Sequence, residues 1–303
     1  DQSQIGTLIC NGGNNSQNIT LKLHQAAIQL GYDLNCIGIP KTIDNDIMHT
    51  DTCIGFGTAA KYTALSCLEI SLDLASMCQS HSKVIIYQAM GRNVGWLAAA
   101  SVLAKHHPDA GPHLILTPEA KLNTEHVIKR IQECIKDHSN VVICIAEGVK
   151  HFDEISAPSP AHRLAALIKE TLGLSAHIVM PDYLQRSARH IASQVDVNQA
   201  ISLSNKALEL AEQKRSGIMT TIHRIQDNPY VWRCDEVMLE QVAGYERHLP
   251  SSFITEDQMY INDQGVEYIR PLIQGESYPI YQDGLPLYSK AIYTHAAKLR
   301  AKS

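Results

Sequence analysis

The stretch IGIPKTIDNDIMHTD, residues 37–51, joins an apolar strand-like run to a strongly polar turn. The apolar run ends at Pro40, and the turn carries a lysine, threonines and three aspartates, of which Asp44 and Asp46 flank an asparagine. None of these polar groups is easily buried without a partner. We therefore expect the turn either to be an ordinary solvated Asp/Asn turn or to serve a function.

Apolar strand-like runs alternate with helical patterns along most of the chain. Strands are predicted at residues 5–10, 34–39, 83–89, 113–117, 140–146, 176–180 and 217–225. Helices are predicted at residues 16–30, 58–78, 93–106, 123–138 with Thr124 as N-cap, 161–172 and 196–214. Nearly continuous apolar strands that alternate with helices are typical of parallel sheets covered on both faces. The sequence therefore predicts an α/β fold with mostly parallel sheets.

Five of the predicted strands end in polar turns that contain glycine or proline. The sequences of these turns are NGGNNS, PKTIDND, MGRNVG, EG and PDYLQRSARH. In open α/β sheets, ligands bind outside the carboxyl ends of the strands. We therefore expect the five turns to meet in one cleft.

The composition argues against several classes of protein. The 303 residues are 45% hydrophobic and carry a formal charge of −5, which does not suit nucleic acid or an anionic membrane as the main partner. No apolar run approaches the roughly 20 residues of a membrane helix, and residues 1–10 lack the pattern of a signal peptide. The eight cysteines form no metal-binding or redox pair by spacing, so we predict a reduced, cytoplasmic protein.

The second turn, PKTIDND, has residues that suit acid–base chemistry on a phosphate compound. A loop carboxylate such as Asp44 can act as a general base when it is held within about 3 Å of a hydroxyl. Asp46 could orient a metal ion or a water molecule, and Lys41 adds a positive charge that suits a phosphate. A solvated turn remains an equally good interpretation on these residues alone.

The other turns offer glycines and cations. Gly12 and Gly13 precede a predicted helix whose free N–H groups could bind an anion, although an ordinary turn is also consistent with this sequence. Arg92 and Arg186 could bind phosphate in a bidentate manner or could lie in solvent. Lys83 begins its strand and therefore lies at the opposite end from Arg92. It could be an ordinary solvated lysine at the strand edge, or it could reach the cleft of a neighbouring subunit. Together these charges suit a substrate with several negative charges and Mg²⁺.

The motifs GGNNS, PKTIDND, MGRNVGW, AEG and PDYLQRS resemble those of the phosphofructokinase family, in the family's order, over residues 12 to 187. The later stretch RPLIQGE, residues 270–276, is also similar. The resemblance is closest to the diphosphate-dependent branch. It implies two Rossmann-like three-layer domains with the active site in the cleft between them, and a reversible transfer of phosphate from Mg²⁺-diphosphate to fructose 6-phosphate.

The resemblance also implies roles for the residues near the transferred phosphate. Asp44 matches the general base that takes the proton of the sugar 1-hydroxyl, while Thr42, Asp46 and Arg92 help to hold the reacting groups. Lys41 matches a lysine associated with the use of diphosphate. The side chain of Asn15 should crowd ATP, because ATP-dependent enzymes have glycine there. The expected donor site comprises Gly12, Gly13, Asn14, Asn15, Ser16 and Lys41.

The acceptor site is implied by three further motifs. The segment Met90, Gly91 and Arg92 matches the family's contact with fructose 6-phosphate. Glu147 matches an acceptor of a sugar hydroxyl. The 6-phosphate is expected to bind Tyr183 and Arg186, together with Lys83 from a neighbouring subunit of a homodimer or homotetramer.

The chain departs from the family pattern in its phosphate loop. Asn14 stands where the family has an aspartate near the metal, and Asn15 stands where diphosphate users commonly have another. Two neutral amides should hold Mg²⁺ less tightly than carboxylates, which leaves Asn14 as a candidate metal ligand. The chain is also expected to begin at about the fourth strand of the family fold, without the N-terminal glycine-rich loop, so that its first strand is an exposed edge.

The domain boundaries follow from the same resemblance. Residues 1–57 and about 185–250 are predicted to form an incomplete donor domain, residues 58–184 a sugar-phosphate domain, and residues 251–303 an extension that packs on both. Two other functions remain open from the sequence. One is an ATP-dependent kinase of fructose 6-phosphate or a related ketose phosphate. The other is a regulatory subunit that binds a sugar phosphate without catalysis.

Overall fold

The computed structural model describes residues 5–77, 83–152 and 154–288 of the chain. In chain order its first elements are β1 (Thr7–Gly12), α1 (Asn14–Gln29), β2 (Asn35–Thr42), β3 (Ile54–Gly55), α2 (Phe56–Met77) and β4 (Val84–Ala89). They are followed by α3 (Trp96–Ala100), β5 (Leu114–Leu116), α4 (Thr124–His138), β6 (Val141–Ala146), α5 (Pro160–Leu172), β7 (Ala176–Val179) and α6 (Leu184–Ser187). The last are α7 (Gln194–Glu212), β8 (Ile218–Gln226), β9 (Val231–Met238), α8 (Asp263–Ile269), β10 (Tyr281–Gln282) and β11 (Leu285–Pro286).

Two larger sheets organise most of these elements, and β10 and β11 form a separate antiparallel pair. The first has the order β1-β2-β8-β9, with β3 also paired to β2; all its pairs are parallel except β8 with β9. The second is wholly parallel and has the order β5-β6-β4-β7. The predicted α/β fold with mostly parallel sheets is confirmed. In the described residues β1 pairs only with β2 and lies at the edge of the first sheet.

The central strands of the second sheet are almost entirely apolar, with Gln88 in β4 as a polar exception, because helices cover both faces. All six residues of β4 and all six of β6 are buried. The largest core surrounds this sheet and includes Tyr87 and Trp96. A smaller core, which includes Ile37, Leu203 and Ile218, joins α7 to the first sheet.

Residues 253–269 pack against the largest core, the one around the second sheet. Phe253 and Tyr268 both contact the ring of Trp96, with ring centroids 6.2 and 5.3 Å away. The strands of the first sheet fall within the predicted donor domain and those of the second within the predicted sugar-phosphate domain. The exact domain boundaries stay a prediction, and residues 1–4 and 289–303 of the predicted domains lie outside the described residues.

Most predicted helix boundaries shift by one or two residues, and three predictions about helices need a fuller correction. The helix predicted at 93–106 begins only at Trp96 and continues beyond Ala100 as a 3-10 turn, because the residues before Trp96 form a turn. The N-cap of α4 is Asn123, whose side chain accepts the His126 N–H at 3.0 Å, and not Thr124. The helix predicted at 58–78 is described from Phe56, and Cys78 lies outside the described residues.

The β9 strand and α8 were not predicted.

None of the helices in the described ranges has both the length and the hydropathy that a membrane span requires.

Candidate active site

The segment at residues 43–51, here called the aspartate turn, follows the last residue of β2. The Thr42 hydroxyl accepts the Asp44 N–H at 3.1 Å and fixes the first bend of the turn. Asn45 adopts a left-handed conformation, with φ of 56°, and its side-chain oxygen accepts the Cys53 N–H at 2.9 Å. Because asparagine tolerates this conformation better than most residues, the DND sequence itself allows the turn to present an aspartate on each side of Asn45.

Asp44 is half-buried and lies among charged side chains from three other turns. Burial raises the pKa of Asp44 to about 6, and the nearby Asp46 and Glu147 carboxylates add to the shift, while Arg186 and Arg92 oppose it. The structure thus brings the side chains of four predicted turns into one electrostatic environment. No described residue donates a hydrogen bond to the Asp44 carboxylate, so its oxygens are available to a ligand.

Asp46 is paired with the first residue of α1. The Asn14 amide donates to the Asp46 carboxylate at 2.8 Å and to its backbone carbonyl at 3.2 Å. Burial raises the pKa of Asp46, and the hydrogen bond from Asn14 opposes that shift. The other oxygen of each side chain, Asn14 Oδ1 and Asp46 Oδ1, is buried without a partner among the described residues.

The glycines of the first turn lie against the aspartate turn. Gly12 is opposite Pro40 in the sheet, and a Cβ added to Gly13 would lie 3.6 Å from Thr42. The buried Gln17 side chain donates to the carbonyls of Gly12 and Ile39, at 2.7 and 3.0 Å, and so ties the ends of β1 and β2 together. Ser16 lies beside Gly12, since a Cβ on that glycine would overlap its side chain.

Lys41 and Asn15 are exposed and therefore available to a ligand. Lys41 lines a cavity of about 240 Å³ together with Arg186 and Arg189. A second cavity, of about 380 Å³, is lined by Arg92, Glu147 and other residues. Lys41 and Arg92 thus line separate cavities. Each cavity also contributes an arginine that lowers the pKa of Asp44, namely Arg186 from the first and Arg92 from the second.

The segment at residues 90–95, here called the arginine turn, is held against Glu147 at the end of β6. The Glu147 carboxylate accepts the Gly91 N–H at 3.1 Å. Gly91 has a φ of +127°, which favours glycine, and a Cβ on Gly148 would lie 2.2 Å from the Arg92 carbonyl. The close approach of the two turns therefore requires glycine at both positions.

The turn that carries Tyr183 and Arg186 lies next to the arginine turn. The buried Gln185 side chain accepts the Met90 N–H at 3.3 Å. The Arg186 guanidinium lies over the Tyr183 ring, 5.4 Å from its centroid, and both side chains are exposed. Lys83 precedes β4 and Arg92 follows it, so the structure does not bring Lys83 to this cleft within one chain, as the sequence predicted.

The sequence analysis missed the roles of two glutamines. Gln17 lies inside the NGGNNSQ stretch and Gln185 inside PDYLQRS, and each is at most 1% exposed. Both glutamines lie in the first turn of a helix, Gln17 in α1 and Gln185 in α6, and because glutamine is usually exposed, the sequence carried no signal for their burial. The sequence could not show which carbonyl or N–H each one reaches.

The free oxygens of Asn14 and Asp46 fit a magnesium ion that is bound mainly by its substrate. Mg²⁺ usually keeps several water ligands and takes one or two protein oxygens together with phosphate oxygens. No group of three or more histidine, cysteine or acidic side chains suited to a metal occurs in the described ranges. The residues therefore fit a shared metal site of two protein ligands and do not fit a closed protein site.

The chain resembles one group of proteins in both sequence and fold. The family model described as Phosphofructokinase matches residues 1–211. The pyrophosphate–fructose 6-phosphate 1-phosphotransferase of Halomonas elongata is 41% identical over 294 residues, covering 92% of this chain and 70% of that protein. The structure of a pyrophosphate-dependent phosphofructokinase from Marinobacter aquaeolei matches with a TM-score of 0.87 and 41% identity, covering 97% of this chain and 76% of that one. The corresponding structure from Nitrosospira multiformis gives 0.88 and 42%, covering 97% and 75%.

Proposed function

The chain belongs to the phosphofructokinase family, and on that premise we propose that it transfers a phosphoryl group from diphosphate to the 1-hydroxyl of fructose 6-phosphate. The products are fructose 1,6-bisphosphate and phosphate. The names of the relatives at about 40% identity support this reaction over the ATP-dependent and regulatory alternatives. The resemblance to this family that the motifs indicated is confirmed.

The environment of Asp44 is the observation that carries the proposal. With a pKa of about 6, the carboxylate is roughly nine-tenths ionised at pH 7 and is a better base than an ordinary aspartate. Its oxygens have no protein donor in the described residues, so they can accept the proton of the sugar hydroxyl. As that proton moves to Asp44, the sugar oxygen attacks the terminal phosphorus of diphosphate and the bond to the leaving phosphate breaks.

The cations around Asp44 can stabilise the negative charge of the phosphate groups. Phosphoryl transfer depends mainly on positioning and on stabilising charge. We assign Lys41 and Arg92 to the phosphoryl group and its leaving phosphate, and Arg186 with Tyr183 to the 6-phosphate. Glu147 uses one oxygen to hold the arginine turn and has its other oxygen for a sugar hydroxyl. Lys83 remains a candidate contribution from a neighbouring subunit.

The backbone supports the same assignment of the acceptor site. Met90 and Gly91 are held by Gln185 and Glu147 through their N–H groups, which fixes the segment that would contact the sugar. Thr42 fixes the bend that presents Asp44.

The donor site would be formed by the two phosphate-loop glycines, Ser16 and the asparagines. Asn14 and Asp46 would hold Mg²⁺ through their free oxygens. When bound, Mg²⁺ would neutralise part of the negative charge on diphosphate. The side chain of Asn15 would occupy space that ATP needs, while diphosphate is short enough to fit. Because diphosphate is an anhydride of modest energy, the reaction is reversible and fits a role in glycolysis. A homo-oligomeric assembly and a cytoplasmic location remain predictions.

The test compares donors with the full-length protein. Formation of fructose 1,6-bisphosphate is measured with fructose 6-phosphate, Mg²⁺ and either diphosphate or ATP. We expect turnover with diphosphate and at least about 100-fold lower kcat/KM with ATP, a difference near 3 kcal/mol. A preference for ATP would overturn the assignment of the donor. Binding of fructose 6-phosphate without turnover with either donor would overturn the proposed reaction.

A further inference from the structure

The segment at residues 246–249, here called the linking segment, follows β9 by several residues and contacts two turns of the candidate site. On one side it is attached to the arginine turn and to the helix after it. The Glu246 carboxylate accepts the Asn93 side-chain amide at 2.8 Å, next to Arg92. The Trp96 indole N–H donates to the Arg247 carbonyl at 3.0 Å.

On its other side the linking segment holds the aspartate turn. The Arg247 backbone N–H donates to the Asp46 carbonyl at 2.7 Å, and its side-chain Nε donates to the Asn45 carbonyl at 3.2 Å. One terminal nitrogen of Arg247 donates to the carbonyls of both Thr50 and Asp51. One side chain therefore bonds to the backbone at both ends of the aspartate turn.

The shape of the guanidinium explains why one residue can make these contacts. Asn45 and His49 have φ of 56° and 62°, so the aspartate turn is irregular and its carbonyls are not satisfied by a regular ladder. Buried carbonyls need a donor, and arginine presents five N–H groups in one plane. That plane lies over the Trp96 ring, with Cζ 4.6 Å from its centroid. Arg247 thus fills the space between the aspartate turn and the helix that follows the arginine turn.

We propose that Arg247 is a positioning residue for phosphoryl transfer, because it sets where the aspartate turn lies relative to the arginine turn. The inference rests on the proposed function of Asp44 and Arg92. Arg247 acts through these turns and is not assigned a contact with substrate. A misplacement of about 1 Å in a reacting group can lower the rate by about 100-fold without loss of binding. The expected effect of removing the guanidinium is therefore on kcat.

Arg224 provides a matched control from the same network. It is also a half-buried arginine, it bonds to Asp51 at 3.0 Å through both carboxylate oxygens, and it lies over the Tyr268 ring at 4.3 Å. None of its described bonds reaches Asn45 or Asp46. Substitution of Arg224 should therefore loosen the fold without moving Asp44.

The experiment measures kcat, both KM values and the melting temperature for Arg247→Gln, Arg247→Lys and Arg224→Gln. We expect Arg247→Gln to lower kcat about 100-fold with each KM changed less than about threefold. Arg247→Lys should recover part of kcat, because an ammonium can still satisfy one or two of the carbonyls. Arg224→Gln should lower the melting temperature and leave kcat within about threefold of the parent.

The inference is wrong if Arg247→Gln keeps the parent kcat, or if Arg224→Gln lowers kcat as much as Arg247→Gln at an equal loss of stability. If Arg247→Gln does not fold, Trp96→Phe tests the same link, because it removes the hydrogen bond to the Arg247 carbonyl and keeps an aromatic ring. An unchanged kcat in Trp96→Phe would count against the inference. A lower kcat at unchanged KM would support it. The parent enzyme separates the two proposals. A parent without turnover refutes the proposed function, whereas an active parent with an unaffected Arg247→Gln variant refutes only the positioning role.

Discussion

Replacement of Asp44 by asparagine should make the protein more stable and much less active at the same time. The carboxyl has a pKa of about 6 in the folded protein against 3.8 for an unperturbed aspartate. Because the folded-state pKa is the higher one, ionisation of the carboxyl destabilises the fold. The cost is complete above about pH 6, shrinks as the pH falls, and is lost only below about pH 4. A shift of about 2 pKa units corresponds to about 3 kcal/mol. Since Asp44 is only half-buried, we expect Asp44→Asn to gain about 1–3 kcal/mol at pH 8, or several degrees in melting temperature.

The assay compares melting temperatures of the parent and Asp44→Asn at pH 8 and pH 4.5, with kcat measured at pH 8. The gain in stability should be largest at pH 8 and about one-third of that size at pH 4.5. In the same variant kcat should fall at least about 1,000-fold with little change in the KM for fructose 6-phosphate. Asp137→Asn, on the exposed face of α4, serves as the control and should change neither quantity. A variant that is no more stable than the parent at pH 8, or equally stabilised at both pH values, would refute the argument that burial of the Asp44 charge costs stability.

Three further predictions concern the same site. As the pH is lowered, kcat/KM for fructose 6-phosphate should fall with an apparent pKa of about 6. Asp46→Asn should move this acid-side fall to lower pH, because the Asp46 charge raises the pKa of Asp44. An acid-side fall unchanged by the substitution would contradict the assignment of Asp44 as the base. Asn15→Gly combined with Lys41→Gly should lower kcat/KM with diphosphate by about 100-fold and raise it with ATP, as measured by parallel assays with the two donors; an unaltered donor ratio would rule out these two positions as the determinants. Asn14→Asp should lower the Mg²⁺ concentration for half-maximal rate several-fold, because a carboxylate binds Mg²⁺ better than an amide, and should lower the melting temperature without Mg²⁺, since it places a second charge beside Asp46; titration with Mg²⁺ and thermal denaturation measure the two effects.

The local part of the site could be predicted from the sequence. The apolar strands predicted parallel sheets, and the rule that ligands bind at the carboxyl ends of strands identified the aspartate turn and the arginine turn as candidate site segments. The two turns follow strands of different sheets, so that rule alone did not establish that they lie close together. Gly91 and Gly148 also followed from the sequence as turn glycines. Such features depend on a few neighbouring residues, and each motif can therefore be recognised from its own short stretch of sequence.

The long-range part of the site could not be predicted. Arg247 lies about 200 residues after the turn it holds, in a stretch whose hydrophobic pattern is weak, and nothing in its neighbours indicates a partner. The antiparallel β9 strand was missed for a similar reason, since its apolar residues are interrupted by Arg233 and Asp235. Pairing with β8, and not local periodicity, determines that strand.

The aspartate turn combines features that disfavour folding, and its stability must therefore come from elsewhere. Burial raises the pKa of both Asp44 and Asp46, and two of its residues have left-handed backbones. The compensating contacts come from distant elements: the Arg247 guanidinium bonds to its carbonyls, and the Ile222 N–H donates to the Thr50 hydroxyl at 3.0 Å. A turn that is held in this way by polar contacts can keep a destabilised base in place without enclosing it in apolar residues, which would exclude a charged substrate. It follows that the residues that position the base include Arg247 and the Ile222–Thr50 contact as well as the motifs. Weakening these contacts should displace Asp44 before either sheet unfolds.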